Sequence, residues 1–273
     1  MRSNDGAAVR VMSGLQQRQC HPRRRRGGRR GTATAASKSS VAFPRRRAGK
    51  IRGVIAWMLL FVSAVSALTS PIQIDRRPPT VQRIVFDPAR PPADMPRLDA
   101  GEAATCQFNF QCGARFQSVT EQQIPLPGGR VRAVVKIESM AITLTLENRI
   151  FLPRDATAKL RAHEEGHREI NERVYESAEA VARAEAQRVL GQTWEGEGES
   201  ADAAAQAALQ QALRSFCRAY HAQIADRAYR VGSIYDELTD HGRRLNPTER
   251  EAIDLAFSRA DREAGNHDPG NHR

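Results

Sequence analysis

Residues 131–167, VRAVVKIESMAITLTLENRIFLPRDATAKLRAHEEGH, change hydrophobic period part-way, and that change sets the fold class. Before Pro153 the apolar residues alternate, first Val131, Ala133, Val135 and Ile137, then Met140, Ile142, Leu144 and Leu146. Alternation of period two turns one side of a strand toward a core. The phase slips between the two runs, so a bulge or turn is expected at Glu138 and Ser139. Beyond Pro153 the period becomes helical. Asp155 reads as the N-cap, Gly191 as the residue that ends the helix, and Leu160, His163, His167, Ile170, Val174, Ala178 and Val181 form one buried stripe.

Working outward, the strand-like pattern runs from Thr105 to Pro153, with Phe108 and Phe110 alternating with polar residues and PLPGG at 125–129 as a turn. The Gly- and Glu-rich stretch 191–200 reads as a loop. A second helix is expected from about Ala201 to Gly242, with Leu209, Leu213, Phe216, Tyr220, Ile224, Val231, Ile234 and Leu238 inward. A third runs from Pro247 to Ala264, with Asn246 as cap and Pro247 in its first turn. The expectation is an α+β domain over 101–264, a small antiparallel sheet followed by long packed helices. Seven prolines between 68 and 100 read as an extended linker, and 265–273 as a disordered tail.

The chain of 273 residues carries a net charge of +11, which would suggest a nucleic-acid binder. The charge is local, however. Residues 1–67 hold 15 basic residues against one acid, Asp5, and the other 206 hold 27 bases and 30 acids, net −3. With aromatics at 5%, no nucleic-acid partner is expected. Residues 1–67 read as a basic leader. The apolar run Gly53–Ala67 follows Arg- and Lys-rich sequence and closes on small residues, the layout of a signal peptide cut after Ala67. An uncleaved membrane anchor is the alternative. Either places the body outside the cytoplasm, periplasmic or secreted. Cys106, Cys112 and Cys217 then remain, enough for one disulfide and one free thiol, and the pairing stays open.

HEEGH at 163–167 fits HExxH. On a helix, residues four apart share a face one turn along, so His163 and His167 can grip one zinc ion, with Glu164 beside them as general base for a bound water. Gly166 costs about 1 kcal/mol inside a helix, which suggests that another backbone passes close by. A catalytic zinc needs a third protein ligand. Ile170 and Arg173 stand where HExxHxxGxxH requires Gly and His, so the third ligand is not on this helix. Residues 234–242 offer His241 first, with Asp236 and Asp240 as alternatives. Tyr235 is the candidate oxyanion donor, although an unbroken helix would place it about 240° round from His241. Glu169, Glu172, Glu176 and Glu179 read as a solvated face, with Glu172 or Glu176 supporting the ligands, and His221 as a surface residue.

The two blocks HExxHxxI at 163–170 and YDxxTxHG at 235–242, in this order, resemble the bacterial family of predicted secreted zinc-dependent proteases known as domain of unknown function 922. The resemblance covers roughly 105–262. It implies a zincin-like active-site helix, with His163, Glu164 and His167 at the active centre and His241 as third ligand near Tyr235 and Asp236.

The expected function is a zinc metallopeptidase acting on a peptide or protein substrate, which an exposed strand edge could hold. A peptidase or amidase of cell-wall peptides would share the chemistry. The alternative from another class is a non-catalytic envelope protein with a structural metal site or a partner-binding helical surface.

Overall fold

The computed structural model describes residues 9–11, 70–98 and 101–265. The expected signal peptide, its cutting point after Ala67 and the tail beyond 265 lie outside the described residues. Among these residues no helix is long and apolar enough to cross a membrane.

The alternating stretch forms one strand, β5 (Val131–Pro153), hairpinned to β4 (Thr105–Pro125) through the expected turn, where Gly128 and Gly129 adopt positive φ. Ser139 pairs with Gln117 and Ile137 with Ser118, which leaves Glu138 as the extra residue of a bulge. That bulge lets Ala133, Val135 and Ile137 share the buried face with Met140, Ile142, Leu144 and Leu146 despite the odd-to-even switch.

The sheet is mixed, not the small antiparallel one expected. One edge of β5 carries β4 antiparallel; along the other lie three short strands in succession. β6 (Thr193–Gly198) is antiparallel at 131–136, whereas β2 (Ile72–Arg76) and β3 (Thr80–Phe86) are parallel at 140–144 and 147–153. A further short strand, β1 (Val9–Val11), pairs antiparallel with β4. The region read as linker therefore supplies two strands. Its prolines mislead because Pro71, Pro78 and Pro79 flank the strands and Pro88 onward follows them, which leaves IQIDR and TVQRIVF free to pair. The region read as a loop is β6. A Cβ at Gly196 or Gly198 would collide with the backbone of residues 203–208, so these glycines let the strand lie directly on a helix.

Two helices replace the one expected between Pro153 and Gly191. α1 (Ala158–Tyr175) is capped by Thr157, not Asp155, the Thr157 hydroxyl accepting from Leu160 N at 3.1 Å. The rod breaks at Ser177, whose hydroxyl donates to the Val174 carbonyl, and α2 (Ala178–Val189) continues with Ala178, Ala182 and Ala186 buried. α3 (Ala201–Thr239), capped by Ser200, spans the domain. Ahead of α4 (Glu249–Gly265), Thr248 rather than Asn246 makes the cap. It exchanges hydrogen bonds with Glu251, so Pro247 lies outside the helix.

The helices bury Phe110, Phe116, Ile137 and Leu144 of the sheet against Ile170, Leu213, Phe216 and Tyr220. A Cys112–Cys217 disulfide, Cα atoms 5.7 Å apart, ties β4 to α3, and Cys106 keeps a free thiol. α1 is held on all sides: Arg83 of β3 grips Glu165 through two bonds of 2.6 and 2.9 Å, Asn171 donates to Asn148 of β5 at 3.0 Å, and Lys159 and Arg173 pair with Glu249 and Asp254 of α4.

Candidate metal centre

His163 and His167 sit one turn apart on the face of α1 that meets the end of α3, their ring centroids 4.8 Å apart. The carboxylate facing them is Asp236. Its Oδ1 lies 3.2 Å from Nε2 of His163 and 2.9 Å from Nε2 of His167. One donor atom from each of the three residues falls within 4.8 Å of the others. A carboxylate in the last turn of a helix opposes the helix dipole, so positive charge from the facing group offsets a real cost. Burial works against ionisation of Asp236, yet hydrogen bonds from the two imidazoles hold its carboxyl well below the usual range. Burial likewise disfavours charge on both histidines. It prevails at His163, whose pKa falls, whereas the Asp236 hydrogen bond raises that of His167.

His241 comes close without joining this trio. α3 stops at Thr239, and Asp240 and His241 both take left-handed backbone at φ 51°, closed by His241 N–H to Asp236 O at 3.1 Å and Arg244 N–H to Thr239 O at 2.9 Å. Left-handed backbone costs a side chain of order 1 kcal/mol, and here it folds His241 back over Asp236. Nδ1 of His241 stops 3.8 Å from Asp236 Oδ1 and 3.6 Å from Glu102 Oε1, with 46% of the side chain exposed. Asp240, the other alternative, faces Arg243 instead.

Tyr235 is not presented as an oxyanion donor. Its ring is fully buried, stacked 4.9 Å from His163 at an interplanar angle of 10°, and its hydroxyl donates to the His163 carbonyl at 3.4 Å. A Cβ at Gly166 would overlap that phenol, so the close neighbour implied by this glycine is a side chain, not a backbone. On the other side Gly242, at φ 77°, packs on His163, where an added Cβ would come within 2.8 Å of the histidine Cβ. Glu164 lies buried where α1 meets β4 and accepts from the backbone N–H of Cys106. Burial pushes its carboxyl up to about 7, against the opposing pull of His167, and Oε2 has no hydrogen-bond partner among the described residues.

The other acids divide as their helix positions dictate. Glu169, Glu176 and Glu179 are exposed, while Glu172 pairs with Arg168 rather than with a ligand. His221 is half-buried, not on the surface, and burial lowers its pKa. Sequence reasoning missed Thr239 and Glu102. Thr239 is fully buried, with Oγ1 3.3 Å from Nδ1 of His163. Its signal lay in the YDxxT spacing, since a residue three beyond Asp236 returns to the same helix face. Glu102 lies just before β4 and carries no periodic signal.

Two imidazole nitrogens and one carboxylate oxygen suit a divalent transition metal, and the orphaned buried Oε2 of Glu164 is the kind of atom that a metal-activated water would satisfy. The chain matches no family model, no curated protein and no solved structure.

Proposed function

We propose that the protein is a zinc-dependent metallopeptidase, exported to the periplasm or secreted, that hydrolyses a peptide or protein substrate. The observation that carries this reading is the convergence of Nε2 of His163, Nε2 of His167 and Oδ1 of Asp236 beside the buried Glu164 carboxyl. His163, His167 and Asp236 would hold the ion, and His241 would flank it. Zinc at such a site supplies Lewis acidity and lowers the pKa of water toward neutrality.

Glu164 is suited to hold the proton taken from the attacking water. A carboxyl raised to about 7 exchanges protons near neutral pH, and its unpartnered Oε2 is the atom to receive one. Tyr235, Gly166 and Gly242 keep the His163 ring fixed, which preserves the geometry without touching substrate. The resemblance of the HExxHxxI and YDxxTxHG blocks supports the same reading. A structural metal site that staples α1 to α3 is the second reading, favoured by the burial of Glu164 at 4% exposure.

Glu164→Gln separates the two. Zinc retention with hydrolysis of a mixed peptide library reduced by about 10²–10⁴-fold is the expected result. Undiminished hydrolysis would refute the role of Glu164, and a wild-type protein that binds zinc but cleaves nothing would favour the staple.

A further inference from the structure

We infer that Thr239 is a positioning residue that locks His163 into the tautomer and orientation in which Nε2 is free for the metal. The inference rests on the metal reading above and adds to it a specific role for a residue outside the ligand set.

The argument follows from a single proton. A threonine hydroxyl has one hydrogen to donate and lone pairs with which to accept. Oγ1 of Thr239 lies 2.7 Å from the Tyr235 carbonyl, one turn back on α3, and 3.5 Å from that of Asp236. Carbonyls only accept, so the hydroxyl proton is committed there. The remaining neighbours of Oγ1 must therefore donate to it. One is the backbone N–H of Gly242 at 3.4 Å, and the other is Nδ1 of His163 at 3.3 Å. With a metal in place of the Nε2 hydrogen bond to Asp236, a proton on Nδ1 would leave Nε2 as the lone-pair nitrogen of a neutral imidazole, and Nε2 is the atom that faces Asp236 and His167.

Burial makes the constraint strict. Thr239 is fully buried and His163 is 3% exposed, so water is a poor substitute for the hydroxyl. The ring cannot swing away either, because Tyr235 stacks on one side and Gly242 presses on its Cβ. The same oxygen that orients His163 also holds the turn carrying His241, since Gly242 donates to it. One hydroxyl thus couples the α1 ligand to the end of α3.

The test compares Thr239→Val, which keeps the shape and removes the hydroxyl, with Thr239→Ser, which keeps the hydroxyl. The readout is the zinc dissociation constant of the full chain, measured by competition with a chromophoric chelator at fixed pH, alongside thermal unfolding in EDTA. A positioning role predicts that Thr239→Val binds zinc about 10–100-fold more weakly, and that Thr239→Ser stays within about threefold of wild type. Equal affinity for wild type and Thr239→Val overturns the inference while leaving the metal site intact. So does Thr239→Ser binding as weakly as Thr239→Val. If Thr239→Val does not fold, threefold-or-better binding by Thr239→Ser together with Nδ1-protonated His163 in ¹⁵N spectra of the zinc-loaded wild type upholds it, and an Nε2-protonated ring overturns it. A wild-type chain with no measurable zinc affinity overturns the metal reading itself, and this inference with it.

Discussion

Nε2 of His167 and Oδ1 of Asp236 stand 2.9 Å apart although 69 positions separate them in the chain. This contact joins the first block of motif residues to the second. It also makes Asp236, the residue after the buried Tyr235, the carboxylate nearest both imidazoles. Zinc affinity should therefore depend on Asp236 more than on His241. Asp236→Ala is expected to weaken binding by more than about 100-fold, beyond what loss of a supporting contact causes, and His241→Ala by about 10-fold or less. Chelator competition on the two variants measures both. The opposite order would make His241 the third ligand.

Much of this site was legible from spacing. HEEGH on a helical stripe placed both histidines on one face with Glu164 next to them, and the 234–242 segment contains the carboxylate that faces them. The choice among Asp236, Asp240 and His241 was not legible, because it depends on where α3 stops. An unbroken helix separates Tyr235 from His241. The two successive left-handed residues Asp240 and His241, residue types that tolerate this backbone without demanding it, bring the chain back over Asp236. In the fold, alternation marked both runs of β5 and the slip at Glu138 and Ser139, but left open whether a turn or a bulge lies there. It did not mark β2, β3 and β6, since proline and glycine content masked short strands whose pairing is set by β5 far along the chain.

Gly166 should resist replacement by alanine even though alanine favours helix by about 1 kcal/mol. The added methyl meets the Tyr235 phenol, and overpacking of this kind costs about 1–3 kcal/mol. Urea unfolding of Gly166→Ala should show net destabilisation, partly recovered by adding Tyr235→Phe because the hydroxyl is the nearest atom. A more stable Gly166→Ala would contradict the packing described.

Removal of the Cys112–Cys217 disulfide should lower stability by about 2–5 kcal/mol, since it closes a loop of 105 positions. Peptide mapping without reductant should recover 112 linked to 217 and Cys106 as a thiol. Denaturant curves of the Cys112→Ala/Cys217→Ala protein give the energy. A link through Cys106 would contradict the pairing.

Lys159 and Glu249 fasten α1 to α4, and the lysine's hydrogen bond holds the Glu249 carboxyl below its ordinary value. A depressed carboxyl contributes stability above its unfolded pKa, about 4.3, and loses it as pH falls through the lower folded value. Lys159→Met should therefore cost about 0.5–1 kcal/mol at pH 7 and less as pH falls below about 4.3 toward 3. Urea unfolding at both ends of this range checks the sign, and a larger cost at pH 3 would contradict it.

The most direct measurement is the metal content of the purified full chain after zinc loading and exhaustive dialysis. One zinc ion per chain is expected in the wild type and in Glu164→Gln, and none in the His163→Ala/His167→Ala protein. A wild-type chain that emerges metal-free, or a double variant that retains its zinc, would contradict a metal centre between α1 and the end of α3.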